Sequence, residues 1–183
     1  MFVDVQGFTP LSETYGPIYI VELLNIYFSR ISDILSRNGG EVIKYIGDGI
    51  MAHFETSEGA IAAAYAIVLD REPLARELAN AGIGSITLRV GVAWGPAILC
   101  HVGPQTHKDR TLLGDTVNTA ARLESAAKPG TALLDANLLQ GHKPEEFGLV
   151  LLPRGVTLKG KSNPVPVMTF RRDRARYEED GKR

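Results

Sequence analysis

A chain of 183 residues, 44% hydrophobic and 22% charged, is long enough for one domain with a sizeable core and too apolar to stay disordered. Lys plus Arg (20) nearly balance Asp plus Glu (21), giving a net charge of −1, which excludes a protein held chiefly by nucleic-acid phosphates or anionic lipid. Cys100 is the one cysteine, so no internal disulfide forms, and the start lacks the charged-then-apolar pattern of a signal peptide; a soluble cytoplasmic domain is expected.

Phe2-Val3-Asp4-Val5 reads as the end of a strand. So little sequence before a first strand suggests a piece of a longer protein, with an upstream regulatory domain missing. Thr9-Pro10 after Gly7 carries helix N-cap and first-turn signals. From Pro17 to Asn38 the apolar residues Ile20, Leu24, Tyr27, Ile31, Ile34 and Leu35 recur at helical spacing, and Gly39-Gly40 stops the helix. Glu41 to Ile46, the turn Gly47-Asp48-Gly49 and Ile50 to Phe54 predict a β-hairpin. A second helix is expected over Ala60 to Leu78, kinked or split by Pro73.

Ile86 to Val92 alternates, apolar at even positions, which points Arg89 off the core face. Gly95-Pro96 turns this strand into Ala97 to Val102, and a short loop reaches Thr111-Leu112-Leu113. Asp115 to Ala127 reads as a third helix, closed by Pro129-Gly130, and short strands follow around 132–134, 149–152 and 165–170. The order β-α-β-β-α-β is that of an α+β, ferredoxin-like sandwich with a C-terminal extension. The expected domain is 1–170, followed by a charged C-terminal tail over 171–183, frayed or in a short helix.

Some residues are costly where they stand unless they do chemistry. Asp4 lies in an apolar strand end, where an unpaired carboxylate is unfavourable. Asp48 alone suits a tight turn, and Lys44 alone suits a solvated strand face. Asn118 and Arg122 lie four apart on one helix face. An exposed pair is the plain account, whereas an amide beside a guanidinium also suits a phosphate ligand. The histidines show no metal-ligand spacing, and Trp94 fits the core or an interface better than a nucleotide pocket.

Phe2-Val3-Asp4-Val5-Gln6-Gly7-Phe8-Thr9, Lys44-Tyr45-Ile46-Gly47-Asp48-Gly49 and Gly114-Asp115-Thr116-Val117-Asn118-Thr119-Ala120-Ala121-Arg122 together resemble the catalytic domain of class III nucleotidyl cyclases. The resemblance runs from residue 2 to about 170. It implies that Asp4 and Asp48 hold two Mg²⁺ or Mn²⁺ ions, as hard cations take carboxylate oxygens. It implies that the backbone of Gly7, Phe8 and Thr9, with Arg89 and Lys159, binds the triphosphate of ATP; a two-residue slip would substitute Lys161 for Lys159. Asn118 would orient the ribose and Arg122 stabilise charge on the α-phosphate.

Lys44 and Thr111 match the purine-selecting positions. Guanylate cyclases of the family carry Glu and Cys there, so the chain resembles an adenylate cyclase making 3′,5′-cyclic AMP and pyrophosphate. Thr111 stands where Asp is commoner, as in a subclass several of whose members respond to bicarbonate. Ala93-Trp94-Gly95 departs from the usual turn at a position without catalytic duty. The resemblance also implies a homodimer with two shared active sites. A catalytically inactive, nucleotide-binding signalling domain is the rival from another class. A diguanylate cyclase is excluded because Val42-Ile43 follow Gly39-Gly40-Glu41 where an acidic residue and an aromatic are needed.

Overall fold

The computed structural model describes residues 1–160 and 163–178. Strand Phe2–Val5 (β1) buries Val3 and Val5 and turns Phe2 and Asp4 to the other side of the sheet. Helix Phe8–Thr14 (α1) is capped by Gly7 rather than Thr9, because the cap has a φ of 74°, a left-handed conformation that suits glycine. Helix Pro17–Arg37 (α2) buries Leu23, Tyr27, Ile31 and Leu35, a narrower stripe than the sequence periodicity outlined. Strands Gly40–Ile46 (β2) and Gly49–Phe54 (β3) form the expected hairpin.

The helix expected over 60–78 is two helices, Ser57–Leu69 (α3) and Arg71–Asn80 (α4), which meet at Asp70. Thr56 caps the first, its hydroxyl oxygen accepting from the Gly59 N–H. Pro73 falls in the first turn of the second, where its missing N–H removes no helical bond. Pro73 therefore splits the segment and kinks nothing. Arg30 of α2 pairs with Asp70 and Glu77, fastening the break to the neighbouring helix.

Leu88–Val92 (β4) precedes a ribbon of Ile98–Val102 (β5) and Asp109–Leu113 (β6). Helix Asp115–Ala126 (α5), then Ala132–Asp135 (β7), Leu149–Leu151 (β8) and Val167–Phe170 (β9) complete the body. The seven-stranded sheet has the order β2-β3-β1-β4-β7-β9-β8. Its first four strands are antiparallel in ferredoxin-like order, and β7 then adds parallel to β4. The β5–β6 ribbon stands apart as a two-stranded sheet.

Helices α2, α3 and α4 close one face over Val3, Ile50, Val90, Leu134 and Phe170. Helix α5 packs on the other face, so close to β4 that a Cβ at Gly91 would lie 2.1 Å from the Glu124 backbone nitrogen and 2.2 Å from the Ala120 oxygen. Backbone cannot give way as a side-chain tip can. Gly91→Ala is therefore expected to cost about 3 kcal/mol or more by forcing α5 off the sheet, read as a lowered midpoint in urea unfolding.

Arg89 shares the Gly91 face. It leaves the main core as the alternation predicted, yet it enters the seam beneath α5 instead of open solvent. Beyond β9, a short 3₁₀ turn and helix Ala175–Glu178 (α6) dock back on the body. Arg176 donates to the Pro129 carbonyl, and the Tyr177 hydroxyl meets Thr131 and accepts from the Lys128 N–H. Among the described residues no helix is long and apolar enough to cross a membrane.

Candidate active site

The first cluster forms where β1 ends beside the β2–β3 turn. Register places Asp4 opposite Arg89, while the turn brings Asp48 to the same strand end, its carboxylate accepting from the Val5 N–H at 3.2 Å. Burial, and then the neighbouring Asp4 carboxylate, raise Asp48 from the ordinary 3.8 to about 6. Arg89 reaches Asp4 Oδ2 at 2.7 Å and Glu124 Oε1 at 2.9 Å. Glu124 is raised to about 7, chiefly by burial, with Arg89 opposing. Residues Gly7, Phe8 and Thr9 follow directly at the start of α1.

Two crowded carboxylates suit a divalent cation, whose charge would offset both the burial and the Asp4 repulsion that raise Asp48. Among the described residues Asp4 and Asp48 converge here while Glu124 is engaged by Arg89, a donor set that fits Mg²⁺ or Mn²⁺ taking further ligands from water and phosphate. The titration carries a sign. With a folded pKa near 6 against 3.8 unfolded, the native chain binds more protons between those values, so stability contributed below pH 3.8 is lost as pH rises through 6. Asp48 is half-buried, and solvent screening leaves an effect of about 1 kcal/mol. Above pH 6, Mn²⁺ is expected to raise the melting temperature of the wild-type chain and to leave that of Asp48→Asn little changed.

The second cluster lies at β2 and β6. Lys44 Nζ is 2.8 Å from Asp109 Oδ2, and Thr111, two residues along β6, is buried. The third is built on α5. Asn118 and Arg122 stand one turn apart, and the loop after Thr157 folds over the arginine. Leu158 is anchored in the small core with Leu123 and Leu133, which sets Lys159 beside Arg122 around a cavity of ≈ 400 Å³. Gly160 passes so near that a Cβ there would lie 3.4 Å from an Arg122 nitrogen. Lys161 lies outside the described residues.

Every site residue named from the sequence thus falls in one of three groups: Asp4, Asp48 and Arg89 with residues 7–9; Lys44 with Thr111; Asn118 and Arg122 with Lys159. Two participants were missed, Glu124 and Asp109. Glu124 had a signal, being acidic on the helix face that carries Ala120 and Leu123. Asp109 had only its place two residues before Thr111. An apolar cavity of ≈ 380 Å³, lined by Phe2, Met51, Phe54, Trp94, Leu112 and Val117 among others, contains none of these groups.

The fold is that of nucleotide cyclase catalytic domains. The chain belongs to the Adenylate and Guanylate cyclase catalytic domain family, which matches residues 1–170. It is 30% identical over 176 residues to an adenylate cyclase of Anabaena cylindrica, covering 91% of this chain and 35% of that protein. The chain therefore spans about a third of that curated relative. The crystal structure of the adenylyl cyclase CyaB from P. aeruginosa superimposes with a TM-score of 0.78 at 28% identity, over 92% of this chain and 90% of that one. The guanylyl cyclase Cya2 shares the fold with a TM-score of 0.78 at 24% identity, over 92% and 88% of the two chains.

Proposed function

We propose that this chain converts ATP to 3′,5′-cyclic AMP and pyrophosphate at two equivalent sites, each completed by two copies of the chain. The ribose 3′-oxygen bonds to the α-phosphorus, the bond from that phosphorus to the bridging oxygen breaks, and the hydroxyl proton passes to solvent. Divalent ions, when bound by Asp4 and Asp48, acidify the 3′-hydroxyl and offset triphosphate charge.

The remaining work falls to side chains. Arg89, Lys159 and the backbone of Gly7, Phe8 and Thr9 hold the phosphates. Asn118 orients the ribose, and Arg122 opposes the negative charge that grows on the α-phosphate. Lys44 donates to adenine N1, where guanine presents a donor of its own, and Thr111 accepts from the exocyclic amine. The Lys44–Asp109 pair, which ties β2 to the strand that carries Thr111, is the observation that supports the choice of ATP. The names of the Anabaena and Pseudomonas relatives support it.

Purified chain given equal ATP and GTP with Mg²⁺ or Mn²⁺ should yield cyclic AMP as the main product. Cyclic GMP in excess would overturn the assignment of substrate. Lys44→Ala is expected to cut the ATP preference by about tenfold or more, because the adenine edge loses its donor. Thr111 aligns the chain with the Thr-bearing subclass, for which a rate increase on adding bicarbonate is the corresponding test.

A further inference from the structure

We propose that a pocket between Trp94 and Asp135 binds a small organic ammonium ion, at a site separate from the three groups assigned to the nucleotide. The turn Ala93-Trp94-Gly95, which departs from the family's usual one and has no duty in the proposed reaction, forms part of its wall. The pocket measures ≈ 360 Å³, and none of the residues assigned to metal, phosphate, ribose or base lines it. It opens where β4 and β7 end side by side. These two strands run parallel, and the carboxyl ends of parallel strands leave a crevice that ligands use in open α/β sheets.

The lining joins an aromatic wall to a set of acceptors. Trp94, partly buried against the main core, supplies an indole, the ring that attracts a cation most strongly. Asp115 and Asp135 bring two carboxylates, and among the described residues the lining has no basic side chain. Asp135 is buried and accepts from the Asn137 N–H at 3.0 Å and from its amide at 3.3 Å. Both carboxylates are engaged within the chain, yet a carboxylate has about four acceptor sites and keeps capacity for a ligand. Thr119 is an independent sign of one. It lines the pocket at 5% exposure, and its hydroxyl has no hydrogen-bond partner among the described residues, a costly state for a buried polar group. Thr116, one turn away, donates to the Pro96 carbonyl at 2.9 Å.

Charge decides the class of ligand. The free N–H groups that open α5 attract anions, but Asp115 in its first turn opposes that pull and Asp135 adds to the opposition. A bare metal ion is also unsuited, since no three acidic, histidine or cysteine side chains converge for one among the described residues. An ammonium on an apolar body answers the whole lining, its N–H donors meeting the carboxylates and Thr119 and its body meeting Trp94.

Trp94 is the one tryptophan of the chain, so its fluorescence reports on this pocket directly. Phenethylammonium titrated into the purified chain should change that fluorescence saturably, and calorimetry should give one ion bound per chain. The neutral 2-phenylethanol should bind at least about tenfold more weakly, because it lacks the charge that the indole and the carboxylates attract, and 3-phenylpropionate should not bind. Asp115→Asn and Asp135→Asn should each lower the affinity for the ammonium about tenfold, since the amide keeps the local shape and loses the charge. Thr119→Val should weaken it as well. Asp48→Asn should leave it unchanged, and a loss there would place the ion at the catalytic carboxylates and overturn the proposal. Absence of saturable binding, equal binding of the alcohol, or an unchanged affinity in both pocket aspartate variants overturns it too. Should Asp135→Asn not fold, Asp115→Asn decides alone.

Discussion

Asp4→Asn and Asp48→Asn are each expected to lower cyclic nucleotide formation by about 10²–10³-fold or more, the scale on which removing one group that stabilises developing charge acts. The two variants should differ in stability, and in opposite directions. Asp48 is raised to about 6 by burial and by Asp4, so replacing it with a neutral amide relieves strain in metal-free buffer at pH 7. Asp4 instead holds the Arg89 guanidinium at 2.7 Å. Its loss leaves that cation with Glu124 alone, in a seam where an underpaired charge is costly.

Asp48→Asn should therefore melt at or above the wild-type temperature without metal while being inactive, and Asp4→Asn below it. Circular dichroism melts and product formation, measured on the same preparations, check both signs. Near-normal turnover in either variant would remove Asp4 and Asp48 from the proposed metal site.

Local pattern carried much of this site because the family's chemistry lies in short segments. The alternation in Phe2-Val3-Asp4-Val5 shows an acid where a strand end should be apolar, and Gly47-Asp48-Gly49 marks a turn between two strands. The β2-β3-β1-β4 order follows from the helix and hairpin assignments, since few ways remain to pair such strands. Illegible features were those set by contacts distant in sequence. Gly91 looks ordinary until α5 lies against it, and Arg89 then proves to be shared between Asp4 and Glu124.

The Lys44–Asp109 pair spans 65 residues and depends on where the β5–β6 ribbon folds, which no periodicity encodes. The sequence shows a strand over 97–102 and a loop reaching Thr111, whereas the second strand of the ribbon begins at Asp109-Arg110, residues with little strand propensity. The tail has the same lesson. Its charges suit a frayed end or a short helix; a short helix forms at Ala175–Glu178, and what no pattern showed is that Asp173 is buried and Tyr177 packs against the small core.

Mixing Asp48→Ala chains with Arg122→Ala chains is expected to restore activity that neither has alone. Lys44 and Asp48 are four residues apart in one hairpin, but their surroundings differ: Asp48 sits with Asp4 at the end of β1, and Lys44 with Asp109 on β6. The proposed head-to-tail dimer assigns them to different sites, one chain giving Asp4, Asp48 and Arg89 and its partner giving Lys44, Thr111, Asn118, Arg122 and Lys159. Exposed Ile98, Leu99, Val102 and Leu113 on the β5–β6 ribbon, with Tyr45 and Ile46 on the hairpin, offer apolar surface of the kind such an interface covers. Each homodimer variant lacks one essential group in both sites. A mixed dimer has one site with both lesions and one with neither, the intact site taking its carboxylates from the Arg122→Ala chain and its arginine from the Asp48→Ala chain. Random pairing makes about half the dimers mixed, each with one of two sites whole, so roughly a quarter of wild-type activity should return if the sites act independently. The assay follows cyclic nucleotide formation after subunit exchange, with exchange itself verified by differently tagged chains. Full exchange without recovery would mean that each chain builds its own site and that the shared-site dimer is wrong.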